Sequence, residues 1–153
     1  MASTIAEALA IGVDENPAIA GVERELVTHG QLRKLIGRLG RDLRIAGIGP
    51  QDRVAIVLPN GPELAIAFLA VSSHATAAPL SPAYTESEFR FYLEDLGAKA
   101  LLTLPNNAEA AHSAAAETVV RLELKGSGNS MRFDSIFMCK RSKITIERHL
   151  YFP

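Results

Sequence analysis

The chain has no tryptophan and a single cysteine, Cys139. One cysteine excludes an internal disulfide framework and fits a reducing compartment. No histidine or asparagine stands in fixed relation to it, so it reads as a bystander and not as a reactive thiol. Also missing is any apolar run approaching the ~20 residues that span a bilayer. No basic segment followed by an apolar one marks a secretion signal near Met1. Together these absences imply a soluble cytoplasmic chain with no membrane partner. Nor is there an excess of charge, since the formal net value is −1, too small to draw the chain to nucleic acid.

What is present is enough for one domain with an apolar core, at 153 residues and 48% hydrophobic content. Charge is unevenly spread. From Gly126 onward five basic residues (Arg132, Lys140, Arg141, Lys143, Arg148) face Asp134 and Glu147, a net of +3, which leaves −4 for residues 1–125. Gly126-Ser127-Gly128-Asn129-Ser130 has linker composition. The expectation is a domain over residues 1–125 and a linker with a basic tail over 126–153, where Ile144-Thr145-Ile146 is the one candidate strand.

Residues 52–102 carry the densest structural signals. Val54 to Leu58 is a continuous aliphatic run, the mark of a strand covered on both faces. Pro59-Asn60-Gly61 turns the chain, and Pro62 sits where a helix tolerates proline, with Glu63 in the first turn. Leu64 to Val71 is apolar nearly all round, which predicts a helix buried on most of its surface. A second strand follows at Ala75–Leu80, and strand–helix–strand in this length is a parallel crossover. Thr85-Glu86-Ser87-Glu88 is a capping box, ahead of a helix with inner residues Phe89, Tyr92, Leu93 and Leu96 and a stop at Gly97. Lys99–Thr103 reads as a third strand, Ala108–Ala116 as a helix and Thr118–Leu124 as another strand. The alternation gives an α/β class with a parallel-rich sheet and flanking helices.

Upstream, residues 3–10 form a short helix, and Pro17–Ala20 and Glu25–Val27 two short strands. Thr28-His29-Gly30-Gln31 is a second capping box. Behind it Leu32, Leu35, Ile36, Leu39 and Leu43 make one helical stripe, ended by Gly47. Arg33, Lys34, Arg38, Arg41 and Arg44 fall off that stripe. With no aromatics interleaved they read as a solvated face, not as a nucleic-acid reader.

Candidate chemistry is thin. Gly47-Ile48-Gly49-Pro50 follows a helix and opens a strand, the reverse of a dinucleotide loop. Pro59-Asn60-Gly61-Pro62 lies between strand and helix, where backbone N–H groups hold anions, but it lacks further glycines and a lysine and reads as a structural turn. His29, His74, His112 and His149 have no zinc-ligand spacing. Ser72, Ser73 and Ser81 lie in no nucleophile elbow. Capping and solvation account for Glu86, Glu88, Glu94 and Asp95. No catalytic, cofactor-binding or metal-binding residue is therefore assigned.

The wording of the central stretch says more. Asp52-Arg53-Val54-Ala55-Ile56-Val57-Leu58-Pro59-Asn60-Gly61-Pro62-Glu63-Leu64, followed by Ala67-Phe68-Leu69-Ala70-Val71, closely resembles the N-terminal region of the AMP-forming acyl-activating enzymes. Ala78-Pro79-Leu80-Ser81-Pro82-Ala83-Tyr84-Thr85 and Glu88-Phe89-Arg90-Phe91-Tyr92-Leu93-Glu94-Asp95-Leu96 resemble that family's next block, nearest to oxalate- and coumarate-type CoA ligases. Ser81 departs from the asparagine often found there. The resemblance spans roughly residues 4–124 and weakens after Pro105.

It implies a partial N-terminal subdomain of the adenylate-forming ligase fold. Full-length relatives use ATP, Mg²⁺ and CoA to adenylate a carboxylic acid and pass the acyl group on. Their phosphate loop, aromatic–Thr-Glu motif, ribose-binding Asp and catalytic lysine have no counterpart here. No cofactor is expected for this chain, and the expectation is an inactive fragment of marginal stability. Two rival readings are a decoy module that pairs with a full-length ligase through open sheet edges and a small nucleotide-binding α/β protein. The expected partners are a full-length homologue or chaperones. Leu150-Tyr151-Phe152-Pro153 is not the usual peroxisomal tripeptide signal.

Overall fold

The computed structural model describes residues 4–21, 26–126 and 133–139. The elements, in order, are α1 (Ile5–Ala10), β1 (Pro17–Ile19), β2 (Val27–Thr28), α2 (His29–Ile45), β3 (Arg53–Val57), α3 (Pro62–Ser72) and β4 (Thr76–Pro79). They continue as α4 (Glu86–Asp95), β5 (Ala100–Thr103), α5 (Glu109–Ala114), β6 (Val120–Gly126) and β7 (Phe133–Cys139). β1 and β2 form a small antiparallel pair, and the other five strands one sheet in the order β4-β3-β5-β6-β7. The first four of these are parallel, with Ala55 beside Ala78 and Leu101, and Leu101 beside Arg121. β7 runs antiparallel to β6, placing Leu122 opposite Met138.

Local chemistry accounts for each helix. Thr28 Oγ1 accepts from the Gln31 N–H while Gln31 Oε1 accepts from the Thr28 N–H at 2.9 Å, so α2 starts on a closed capping box. Thr85 and Glu88 do the same for α4. Gly47 and Gly97 stop these helices at φ +78° and +55°, conformations open to glycine at little cost. Six residues of α2 are buried: Leu32, Leu35, Ile36, Leu39, Gly40 and Leu43. Leu39 has no exposed surface, so its truncation to alanine costs ~2–5 kcal/mol.

The sheet has two covered faces. On one, Val54, Ile56, Leu58, Ala100, Leu102, Leu122 and Leu124 pack with α2 and α3. On the other, Ala55, Val57 and Leu101 pack with α4 and α5 through Phe89, Leu93, Ala111 and Ala115. β3 therefore lies at the centre, buried on both sides, as its aliphatic run predicts.

One expectation from the sequence is sharpened here and one corrected. First, α3 is covered over most of its surface, with Ile66, Ala67, Ala70 and Val71 fully buried, and Ala65 and Phe68 form its exposed edge. A helix with one side on the sheet and one beside α2 still leaves an outer face, however apolar its sequence. Second, the sheet does not stop near Lys125. β7 continues it at 133–139, where the sequence placed linker and tail. The Ile144–Ile146 strand and His149 lie outside the described residues, as does Glu25 of the second short strand.

β4 is an edge strand with one blunted side. The N–H groups of Thr76 and Leu80 donate to the carbonyls of Asp52 and Ile56 on β3. By strand alternation Ala77 and Pro79 then face the open side, and Pro79 has no N–H to offer. A short edge carrying proline resists pairing with another strand.

Candidate functional site

The sheet's carboxyl ends are where a doubly wound fold places its ligands. Binding there falls at the switch point, where neighbouring strands send their connections to opposite faces. That point lies between β3, which leads to α3 on one face, and β5, which leads to α5 on the other. Pro59–Asn60–Gly61 rims it from β3, and Leu104 to Ala108 from β5. Gly61 is the N-cap of α3 with extended backbone (φ 162°), and no side chain caps that helix. The β5–α5 loop holds Asn106 and Ala108 at φ 54° and 63°, the two non-glycine residues with left-handed backbone among those described. Such conformations cost energy for any residue with a Cβ.

One polar pair lies at this rim. Thr103 is fully buried, and its Oγ1 lies 3.1 Å from Nε2 of His112 on α5. The pair ties the end of β5 to its following helix. The start of α3, with no side-chain cap at Gly61, is a setting that suits an anion, but the turn carries no lysine or arginine to add charge and selectivity.

The remaining candidates are scattered. His29 packs against Gly12, and His74 lies over Gly40 with its Nδ1 3.0 Å from the Ala70 carbonyl. These histidines and His112 serve three separate contacts. Ser73 Oγ donates to the Leu69 carbonyl, and Ser81 Oγ accepts from the Ala83 N–H. Ser72 closes α3. Glu86 pairs with Arg90, and the Thr85 N–H bond to Glu88 holds its carboxyl below the usual range. Among the described residues no group of three or more His, Cys, Asp and Glu side chains could hold a metal ion. None of the described helices is long and apolar enough to cross a membrane.

Sequence reasoning missed Arg121. Its guanidinium is buried, 7% exposed, and Nη2 donates to the carbonyls of His112 at 3.2 Å and Ala115 at 3.0 Å. A cation at a helix C-terminus satisfies carbonyls left without partners. The hint was slight, because β6 alternates Arg121, Glu123 and Lys125 with Val120, Leu122 and Leu124.

Nucleotide and Mg²⁺ sites of the ligase type do not fit these residues. Neither strand–helix turn at the switch point, Pro59–Gly61 or Leu104–Ala108, has a lysine, and among the described residues no group of three or more His, Cys, Asp and Glu side chains could hold a cation.

Comparison with known proteins gives a consistent picture. The oxalate–CoA ligase of Arabidopsis thaliana is 47% identical over 93 residues, 60% of this chain and 18% of that protein. A probable CoA ligase of Humulus lupulus is 42% identical over 92 residues, again 60% and 18%. Among solved structures, apo MatB from Rhodopseudomonas palustris superposes with a TM-score of 0.66 at 24% identity, covering 84% of this chain and 27% of that one. The matched part is thus under a fifth of the curated relatives' length. The fold is the N-terminal part of the adenylate-forming ligase fold, partially covered. The model of the AMP-binding enzyme family matches residues 9–140, and the chain belongs to that family.

Proposed function

We propose that this chain is the N-terminal scaffold of an AMP-dependent acid–CoA ligase and carries no adenylation activity by itself. The observation behind this reading is a contrast within residues 52–102. They match CoA ligases in wording, and they build the central strands of the sheet. Yet at the carboxyl ends of those strands Thr103 is tied to His112, and neither the Pro59–Gly61 turn nor the Leu104–Ala108 loop carries a charged side chain. Adenylation requires fixed charge aimed at a transferring phosphoryl or acyl oxygen, and this rim supplies none. What the segment contributes is a rigid platform, with β3 buried on both faces.

The alternative of a decoy that adds to a full-length ligase by sheet-edge pairing meets an obstacle at β4. Its open side presents Pro79.

The test is acid-dependent release of pyrophosphate from ATP by the purified chain, over a panel of mono- and dicarboxylic acids with CoA present. The expected outcome is no turnover above a heat-killed control. Turnover that scales with protein concentration overturns the reading.

A further inference from the structure

The helices on opposite faces of the sheet carry complementary outer stripes. On α2, Lys34, Arg38, Arg41 and Ile45 recur at i, i+4, i+7 and i+11, diametrically across from the buried leucines, and all four are exposed. Among the described residues no ion pair involves these three cations. Ile45 is 78% exposed, an apolar end to a basic stripe.

On α4 the outer stripe runs through Glu88, Phe91 and Asp95, with Glu94 on its flank, and Phe91 is 62% exposed. Glu94 and Asp95 occupy the last turn, where the helix dipole disfavours carboxylates, and no basic residue there offsets them. Neither makes an ion pair among the described residues. The stability of α4 therefore does not explain them.

The stripes match in spacing. Lys34 to Arg41 and Glu88 to Asp95 each span seven positions, ~10.5 Å along a helix. Laid antiparallel, Lys34 meets Asp95, Arg41 meets Glu88 and Arg38 falls over the Phe91 ring, a cation–π arrangement.

We propose that copies of this chain associate head to tail, the basic stripe of α2 in one copy seated on the acidic, aromatic stripe of α4 in the next. A second copy is the occupant because both halves of the contact belong to the same chain and lie on opposite faces. A net charge of −1 gives no global repulsion between copies. A contact between two different patches leaves one of each patch open at the ends, so it extends into chains unless its rotation closes a ring.

The experiment is sedimentation velocity on the full chain, with two neutralised variants, Arg38→Gln/Arg41→Gln and Glu94→Gln/Asp95→Asn. Circular dichroism verifies that each variant is folded. The wild type is expected to assemble with rising concentration at low salt. Its association constant should fall roughly tenfold or more between about 0.05 and 0.5 M salt. Each variant alone stays monomeric, having lost one half of the contact. Mixed, they form a one-to-one dimer and stop, since each retains the half that the other lacks. A wild type that is monomeric at all concentrations overturns the proposal and leaves both stripes as solvated faces. Variants that assemble like the wild type, or folded variants that form no mixed dimer, overturn it equally.

Discussion

Lys99 Nζ donates to Asp52 Oδ2 at 2.7 Å, joining the entry of β5 to the turn that opens β3. Asp52 also accepts from the Gly49 N–H through the same oxygen, at 2.7 Å, and its carbonyl receives the Thr76 N–H at the start of β4. One residue therefore sets the register of three parallel strands at their amino ends.

The Lys99 bond first, then the Gly49 N–H, hold the Asp52 carboxyl below the usual carboxylate range. A depressed folded pKa means that the ionised form is favoured by folding. The stabilisation is complete above the unfolded value near ~3.9 and is lost as pH falls through the folded one. Urea midpoints of Asp52→Asn against the wild type should show the variant weaker at pH 7. The gap should close on acidification below about pH 4, and salt should narrow it at neutral pH. A gap that is constant with pH would show that the carboxylate charge contributes nothing.

Two glycines on α2 should respond in opposite directions to the same substitution. A Cβ at Gly40 would collide with the His74 ring, whereas nothing lies within 4 Å of one at Gly37. Gly37→Ala should stabilise by up to ~1 kcal/mol through helix propensity. Gly40→Ala should cost ~1–3 kcal/mol, because the ring must leave its seat between α2 and α3. The double variant Gly40→Ala/His74→Ala should recover much of that loss. Thermal denaturation of the four proteins checks the pattern, and equal effects at the two glycines would refute it.

Gly40 also marks where the sequence stopped being legible. The capping boxes at Thr28 and Thr85, the stripe of α2 and the aliphatic run of β3 act over a few residues, and all appear in the structure within a residue or two of their expected bounds. Gly40 differs, because its reason is the ring of His74, thirty-four positions away. Arg121 is a similar case, since its carbonyl partners exist only once α5 has ended above β6. The exposed edge of α3 at Ala65 and Phe68 was not legible, because composition reports how apolar a helix is and not which positions its neighbours reach. β7 escaped notice because it follows a stretch of linker composition and lies where charge changes sign. The candidate site read as empty of chemistry because its N–H donors are backbone groups, which leave no mark on side-chain identity.

Ala108 should be improved by glycine, contrary to the usual effect next to a helix. It is the N-cap of α5 at φ 63°, ψ 43°, with no side-chain cap. An L-residue there costs about 1–2 kcal/mol of local strain, against which glycine adds roughly 0.4–1 kcal/mol of unfolded-state entropy. Ala108→Gly is therefore expected to be neutral or stabilising by up to ~1 kcal/mol, while Ala108→Val should destabilise. Denaturant midpoints distinguish these, and a loss of more than ~1 kcal/mol in the glycine variant would mean that the methyl contact with the core outweighs the strain.

Arg121 carries its charge under α5 with Nη2 on two carbonyls, and its Nε is buried without a partner among the described residues. Removing the guanidinium leaves the carbonyls of His112 and Ala115 without their donor, at ~1–3 kcal/mol for a buried group. It also relieves the desolvation of a charge that forms no ion pair among the described residues. The two consequences separate by choice of substitute. Arg121→Ala loses the donor and the packed stem together and should cost ~2–4 kcal/mol, a cavity being added to the unmet carbonyls. Arg121→Met keeps the volume and removes the charge. If burial of the cation outweighs the cap it provides, the methionine variant should lie within ~1 kcal/mol of the wild type. If capping of α5 outweighs the burial, it should fall near the alanine variant. Hydrogen exchange adds a local readout, since fraying of α5 with the rest of the sheet unchanged identifies the cap as what was lost.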